Sequence, residues 1–164
     1  MKVWGIVGWK NSGKTGLMER LVAAFTARGL RVSTIKHAHH AFDIAQPSKD
    51  SHRHREECDP EHLYSGSARY ALMHEMSGAD EPSLAELLAR LSPVDLVLVE
   101  GFKSEPHPKL EAHRGATGQT LLAADDPSIR AIASDAGARA DNRPTFALDD
   151  TTAIADFVSG ELGL

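Results

Sequence analysis

The stretch Gly8-Trp-Lys-Asn-Ser-Gly-Lys-Thr15 decides how the rest of this 164-residue chain is interpreted. It has the spacing G-x-x-x-x-G-K-T of a P-loop, whose backbone N–H groups cradle phosphate oxygens at the start of a helix. The apolar, partly β-branched run from Lys2 to Gly8 predicts a buried strand before it. Apolar residues at 17, 18, 21, 22 and 25 predict a helix over residues 16–28. This context favours a phosphate site over a chance match in a glycine-containing turn.

Two polar residues of the motif, Lys14 and Thr15, have specific expected roles. The Lys14 ammonium reaches β- and γ-phosphates and is a catalytic candidate, and the Thr15 hydroxyl is a ligand for Mg²⁺. The residues of this segment that we predict to bind nucleotide are Gly8, Asn11, Ser12, Gly13, Lys14, Thr15 and Gly16.

Composition narrows the class of protein. Hydrophobic residues make up 41% of the chain and charged residues 25%, as in an ordinary globular domain. A net charge of −5 gives no general attraction to nucleic acid. The single cysteine, Cys58, excludes an internal disulfide and is compatible with the cytoplasm. The start of the chain does not resemble a signal peptide, and no apolar run approaches the roughly 20 residues of a membrane span.

Strand and helix patterns alternate along the chain. This order predicts an α/β fold of the P-loop NTPase type, with a mostly parallel central sheet covered by helices on both faces. We expect residues 1–164 to form a single nucleotide-binding domain. The further predicted strands are 31–36, 69–74, 95–101, 109–113, 129–134 and 145–148; the further predicted helices are a short one starting at Asp59-Pro60, one over 83–91 and one after Asp150.

A carboxylate ends the most apolar of these strands. The run Asp95-Leu-Val-Leu-Val-Glu100 has no alternation, which is typical of a strand buried on both faces. Glu100 is at its C-terminal end, where ligands gather in open α/β sheets, and is therefore a candidate for the metal site. The alternative is a charged strand end in solvent. Asp95, at the other end, is expected to be a cap or a surface residue.

Residues 37–60 have no clear period and are rich in histidine and charge. We expect Lys36 and His37 to contact phosphates, because the second predicted strand ends there. In the same stretch Asp43 is a candidate for the metal shell, and Asp50 and Arg53 are candidates for catalysis. A transition-metal site formed by the histidines and a solvated charged loop remain alternatives.

Four segments, together with the P-loop, resemble one known family. They are KHAHHAFD (36–43), KDSHRH (49–54), DLVLVEGFK (95–103) and PKLEAHR (108–114). They are similar to the molybdopterin-guanine dinucleotide biosynthesis adapter proteins, the MobB family. The resemblance implies a GTP-binding protein with weak GTPase activity, often a homodimer, that assists the guanylyltransferase attaching GMP to molybdopterin. The family commonly reads F-D-x-D-x-P-G-K-D, whereas this chain has Ala45 and Ser48 at two of those positions, which leaves Asp43 and Asp50 as metal candidates.

Two points stay open at the level of residues. Specificity for guanine cannot be inferred from the motifs, because the usual guanine-binding motif N-K-x-D is absent. Any of Asp125, Asp126 and Asp135 could contact a base. A small-molecule kinase and a metal-loading NTPase chaperone are alternatives to the adapter. The adapter is favoured over the kinase because the 37–60 segment has two arginines but is mostly histidine and acid, unlike a kinase lid.

Overall fold

The computed structural model describes residues 1–37, 61–68, 70–74, 76 and 78–164. The chain divides into two compact units, one made of Met1–His37 and Leu87–Leu164 and the other of Ala38–Glu86. The larger unit contains the P-loop. That the whole chain acts as a single nucleotide-binding domain stays a prediction.

Outside residues 61–65, the strands and helices follow one another in the predicted order. The strands are β1 (Lys2–Val7), β2 (Val32–Lys36), β3 (Glu61–Ser65), β4 (Tyr70–His74), β5 (Leu96–Glu100), β6 (Lys109–His113), β7 (Ile129–Ser134) and β8 (Thr145–Ala147). The helices are α1 (Lys14–Ala27), α2 (Leu84–Ala89) and α3 (Thr151–Leu162), with short 3₁₀ turns at Gly115–Thr117 and Leu122–Ala124. None of the described helices is both long enough and apolar enough to cross a bilayer.

Six strands form one sheet in the order β2-β5-β1-β6-β7-β8, and every neighbouring pair is parallel. The strand that precedes the P-loop, β1, lies between β5 and β6. Because the strands are parallel, all their C-terminal ends meet at one edge of the sheet. The P-loop, Glu100 and the residues after β6 are therefore neighbours in space.

The core lies mainly between the sheet and two helices on one face. Trp4 of β1, Leu21 and Phe25 of α1 and Ile154 of α3 are each fully buried in it. A smaller cluster on the other face joins Val7 and residues of β7 to the 3₁₀ turn at Leu122–Ala124. All five residues of β5 are buried, as expected for a central parallel strand. The predicted mostly parallel α/β fold is confirmed.

Local sequence signals explain where the helices begin. Ser83 and Glu86 form the predicted capping box, in which the Ser83 N–H donates to Glu86 Oε2 at 2.8 Å and the Glu86 N–H to Ser83 Oγ at 3.3 Å. Asp150 caps α3, since its Oδ1 accepts a hydrogen bond from the Ala153 N–H at 3.1 Å. The short helix expected to start at Asp59-Pro60 is wrong, because Glu61–Ser65 is the strand β3. A strand partner close in the chain overrides a local helix-start signal.

The smaller unit contains a two-stranded antiparallel hairpin of β3 and β4. Leu63 pairs with Leu72, and Ser65 pairs with Tyr70. Successive strand residues point to opposite faces, so these pairs share one face. Leu63, Tyr70 and Leu72 are 64%, 74% and 57% exposed. The hairpin therefore presents a small apolar surface, which is the chemistry of an interface.

Candidate functional site

The P-loop is a tight backbone turn between β1 and α1. Gly8, Asn11 and Gly13 have φ values of 148°, 64° and 93°. A Cβ on Gly8 would lie 2.3 Å from the Ala112 carbonyl oxygen and 2.5 Å from the Ser12 Oγ. No side chain fits there, so glycine is required at the point where β1 turns into the loop. Asparagine is among the non-glycine residues that best tolerate the left-handed region, which suits position 11.

Lys14, the first residue of α1, folds back over the loop. Its Nζ donates hydrogen bonds to the Trp9 carbonyl at 2.7 Å and to the Gly8 carbonyl at 3.1 Å. Burial lowers the pKa of Lys14, while the nearby carboxylate of Glu100 opposes that shift. Lys103 and Lys36 lower the pKa further by like-charge repulsion. An anion bound at the loop would relieve this repulsion.

Thr15, Lys36 and Glu100 converge at the shared edge of the sheet. Oε1 of Glu100 accepts a hydrogen bond from the Thr15 hydroxyl at 3.5 Å and lies 3.5 Å from Lys36 Nζ. The Glu100 side chain is only 10% exposed. The alternative of a carboxylate free in solvent does not fit this burial. Two oxygen donors this close together, backed by a cation, suit a hard divalent ion such as Mg²⁺.

His37 is held against the end of β5. Its backbone N–H donates to the Glu100 carbonyl at 2.9 Å, and its ring stacks on Phe102 with centroids 4.6 Å apart. Gly101 has φ 96°, and a Cβ there would lie 2.9 Å from the His37 Cβ. Glycine at 101 therefore allows the close approach that brings His37 next to Glu100.

Ser12 is a residue of the loop itself, and Gly16 lies in the first turn of α1. The Ser12 hydroxyl is buried and has no hydrogen-bond partner among the described residues. Asp43, Asp50 and Arg53, the predicted metal and catalytic residues of the 37–60 segment, lie outside the described residues.

Arg114 is a residue that our reading of the sequence missed. It follows β6, and its Nε would lie 3.1 Å from a Cβ on Gly13, so its guanidinium sits against the P-loop. No local pattern identifies it, because only the strand order of the sheet places β6 beside β1 and brings a residue just past its end to the same sheet edge.

A cavity of about 570 Å³ adjoins the loop on the same side as Arg114. We call it the rim cavity. Its lining includes Trp9, Lys10 and Asn11 from the P-loop and Arg114, Thr117 and Gln119 from the segment after β6.

The three aspartates considered for base contact differ in their surroundings. Asp126 Oδ2 lies 3.1 Å from the buried Lys109 Nζ, and its Oδ1 accepts hydrogen bonds from Ser128, so it is used within the fold. Asp135 Oδ1 accepts from the Gly115 N–H at 2.9 Å and lies next to the end of β7. Asp125 is exposed at the end of a 3₁₀ turn.

The chain matches the family model for molybdopterin guanine dinucleotide synthesis protein B over residues 3–135. It is 37% identical over 155 residues to the molybdopterin-guanine dinucleotide biosynthesis adapter protein of Escherichia coli (strain K12), covering 92% of this chain and 87% of that one. It is 36% identical over 161 residues to the protein of the same name from Haemophilus influenzae, covering 96% and 88%.

Solved structures agree with these matches. The crystal structure of Bacillus subtilis MobB aligns with a TM-score of 0.78 at 25% identity, covering 99% of this chain and 98% of that one. The MobB homologue from Bacillus stearothermophilus aligns with a TM-score of 0.69 at 30% identity, covering 99% of both chains.

Proposed function

Because the chain belongs to the molybdopterin guanine dinucleotide synthesis protein B family, we propose that it is a GTP-binding adapter with weak GTPase activity. In this proposal it assists the enzyme that attaches GMP to molybdopterin. The proposal that the chain binds a nucleotide rests on the convergence of Lys14, Thr15 and Glu100 at one edge of the sheet.

The P-loop supplies the phosphate site. Its backbone N–H groups and the N-terminus of α1 favour negative charge, and Lys14 would exchange its two carbonyl contacts for β- and γ-phosphate oxygens. Lys36 lies at the same edge and adds a second cation. We propose that the same segment wraps around the phosphates with Asn11, Ser12, Gly13 and Gly16. His37 lies beside it.

Thr15 and Glu100 would hold Mg²⁺, which neutralises phosphate charge when it is bound. The nearly buried Glu100 carboxylate already contacts Thr15 and Lys36. A carboxylate fixed in this way is suited to bind the metal or its water, and less suited to move a proton during hydrolysis. This fits slow turnover. Asp43 as a further metal residue, and Asp50 and Arg53 as catalytic residues, remain part of the proposal.

Partner binding completes the proposal. The apolar face of the β3–β4 hairpin is suited to pair two copies of the chain, since exposed apolar surface and unpaired strand edges favour association. The guanylyltransferase that joins GMP to molybdopterin is the expected heterologous partner. The proposed location is the cytoplasm, where a lone thiol such as Cys58 stays reduced.

A nucleotide panel tests this proposal directly. Calorimetric titrations of GTP, GDP, GMP and ATP would each be run with Mg²⁺ and with EDTA. We expect GTP to bind more tightly than ATP, and Mg²⁺ to strengthen the binding of GTP far more than that of GMP. Equal affinity for GTP and ATP would contradict guanine specificity, and the absence of binding by any triphosphate would contradict the nucleotide site itself.

A further inference from the structure

Among the described residues that line the rim cavity, only Asn11 belongs to the segment proposed above to wrap the phosphates, and the cavity lies next to that segment. Lys14 Nζ donates to the Trp9 carbonyl at 2.7 Å, and Trp9 lines the cavity. In P-loop proteins this lysine reaches the β- and γ-phosphates. The rim cavity therefore adjoins the end of the nucleotide that carries its terminal phosphates.

The charge around the cavity is positive. Arg114 and Lys10 line it, and Lys103 places its Nζ 4.4 Å from the centroid of the Trp9 ring. None of the described residues that line it is acidic. Cations therefore cluster beside this cavity, although the chain as a whole has a net charge of −5. Cations that converge on a concave surface raise the local concentration of anions.

The cavity also has a fixed aromatic wall. The Trp9 Nε1 donates to the Thr120 carbonyl at 2.9 Å, which ties the indole to the segment after β6. The same segment is anchored by His113, whose Nε2 lies 3.2 Å from the Gln119 carbonyl and whose Nδ1 lies 3.2 Å from Ser134 Oγ. A preorganised aromatic wall beside cations is suited to a flat ring with a negative group attached.

We propose that the rim cavity binds a second molecule, a phosphate monoester that carries a flat heteroaromatic ring. Arg114 and Lys10 bind its phosphate, and its ring packs against Trp9. Arg114 contacts both the P-loop and the cavity, so the two anions share one guanidinium. The inference rests on the proposed function for the identity of the neighbouring nucleotide. Two sources share the ligand's chemistry, a second nucleotide and a pterin that carries a phosphate.

Calorimetry on nucleotide-filled protein tests the proposal. The protein is first saturated with Mg²⁺ and the non-hydrolysable analogue GMPPNP, then titrated with 6-hydroxymethylpterin monophosphate, with GMP or with inorganic phosphate. We expect one of the ring-bearing probes to bind and to quench Trp9 fluorescence. The other tryptophan, Trp4, is fully buried, so a Trp9→Phe variant should lose the signal.

Matched variants separate the cavity from general electrostatics. Removing one charge-assisted contact lowers affinity roughly ten- to a hundredfold, which is the expected effect of Arg114→Gln or Lys10→Gln on probe binding. Lys2→Gln removes an exposed cation from the opposite end of β1 and should change nothing. Circular dichroism establishes that each variant is folded.

Each outcome has one meaning. Binding of the pterin phosphate identifies a pterin source, and binding of GMP to the filled protein identifies a second nucleotide. No binding, binding unaffected by both cavity variants, or inorganic phosphate binding as tightly as the ring-bearing probes would overturn the proposal. Displacement of GMPPNP by the probe would also overturn it, because the cavity would then belong to the P-loop nucleotide. The preliminary GMPPNP titration detects separately whether the proposed function has failed.

Discussion

The hydroxyl of Thr15 lies 3.5 Å from Oε1 of Glu100, although 85 positions separate the two residues in the sequence. Parallel pairing of β1 with β5 brings them together, because Ile6 is in register with Glu100 and the P-loop starts two residues later. The separation is short enough for both oxygens to bind one cation. The response of nucleotide binding to Mg²⁺ should therefore depend on Glu100.

Glu100→Gln should weaken nucleotide binding in Mg²⁺ roughly tenfold or more, with a much smaller effect in EDTA, because the amide is a poorer metal ligand than the carboxylate. Calorimetric titration of GTP at several Mg²⁺ concentrations measures this. Asp95→Asn is the control, since Asp95 precedes the same strand at its other end and contacts Arg31 there. Identical Mg²⁺ dependence in Glu100→Gln and the parent would show that Glu100 is not at the metal.

Lys14→Ala should weaken triphosphate binding while the fold survives, because Lys14 is partly exposed and its hydrogen bonds within the described part of the chain go to the loop's own carbonyls. A lost charge-assisted contact costs about 1.5–3 kcal/mol, or roughly ten- to a hundredfold in affinity. Titration of GTP into both proteins gives the ratio, and Lys2→Ala controls for the loss of one positive charge. An unchanged affinity in folded Lys14→Ala would remove Lys14 from the phosphate site.

Gly8→Ala tests the backbone rather than the charge. The new Cβ would clash with the Ala112 carbonyl oxygen, and φ at position 8 is 148°. We therefore expect loss of GTP binding together with a lower melting temperature. Gly137→Ala is a matched control for backbone strain, because Gly137 also has positive φ but open space around its Cβ position. If Gly8→Ala bound GTP like the parent, the loop would have another conformation in the complex.

Much of the fold was accessible from the sequence. The P-loop fixes a strand before it and a helix after it, and the uninterrupted apolar run before Glu100 identifies the strand that pairs beside β1. The approach of Thr15 to Glu100 followed from these two assignments, since parallel strands bring their C-terminal ends to one edge.

Other features depend on contacts that no local pattern reports. Arg114 follows a short strand, and only the strand order places that strand next to β1 and the arginine against Gly13. The start of β3 was mistaken for a helix because Asp59-Pro60 is a good local helix start, whereas the pairing with β4 decides the outcome. The burial of the two ring nitrogens of His107, which no periodicity indicated, is a third case.

From the exposed apolar face of the β3–β4 hairpin we predict a dimer, and a single charge placed on that face should disrupt it. Leu72→Glu places a carboxylate on the face formed by Leu63, Tyr70 and Leu72, where its burial in an interface would be costly. Sedimentation equilibrium at micromolar concentration should show the parent near twice the 17.7 kDa of one chain and the variant near that mass. Leu164→Glu, at an exposed apolar residue of the other unit, is the control. A parent that sediments as a monomer would contradict the dimer.

The surroundings of His107 lead us to predict that the free energy of unfolding depends on pH. Its two ring nitrogens are buried and have no hydrogen-bond partner among the described residues. Burial, aided by repulsion from Lys109 and opposed by Asp126, lowers its pKa from 6.5 to about 4. The folded state therefore keeps His107 neutral, while the unfolded state binds a proton below pH 6.5. Between pH 4 and pH 6.5 the unfolded state therefore binds more protons than the folded state. As far as His107 is concerned, the free energy of unfolding is highest above pH 6.5 and decreases as the pH falls toward 4.

His107→Gln should remove this dependence, because glutamine does not titrate. Urea unfolding of the parent and the variant at intervals from pH 7 to pH 4 gives the difference in slope. After allowance for partial solvent screening, the contribution of His107 should be on the order of 1–2 kcal/mol over that window. The difference between the two proteins is the relevant quantity, since groups that do not interact with His107 contribute equally to both and cancel. Parallel curves for the parent and His107→Gln would mean that His107 gains a proton in the folded protein as readily as in the unfolded chain.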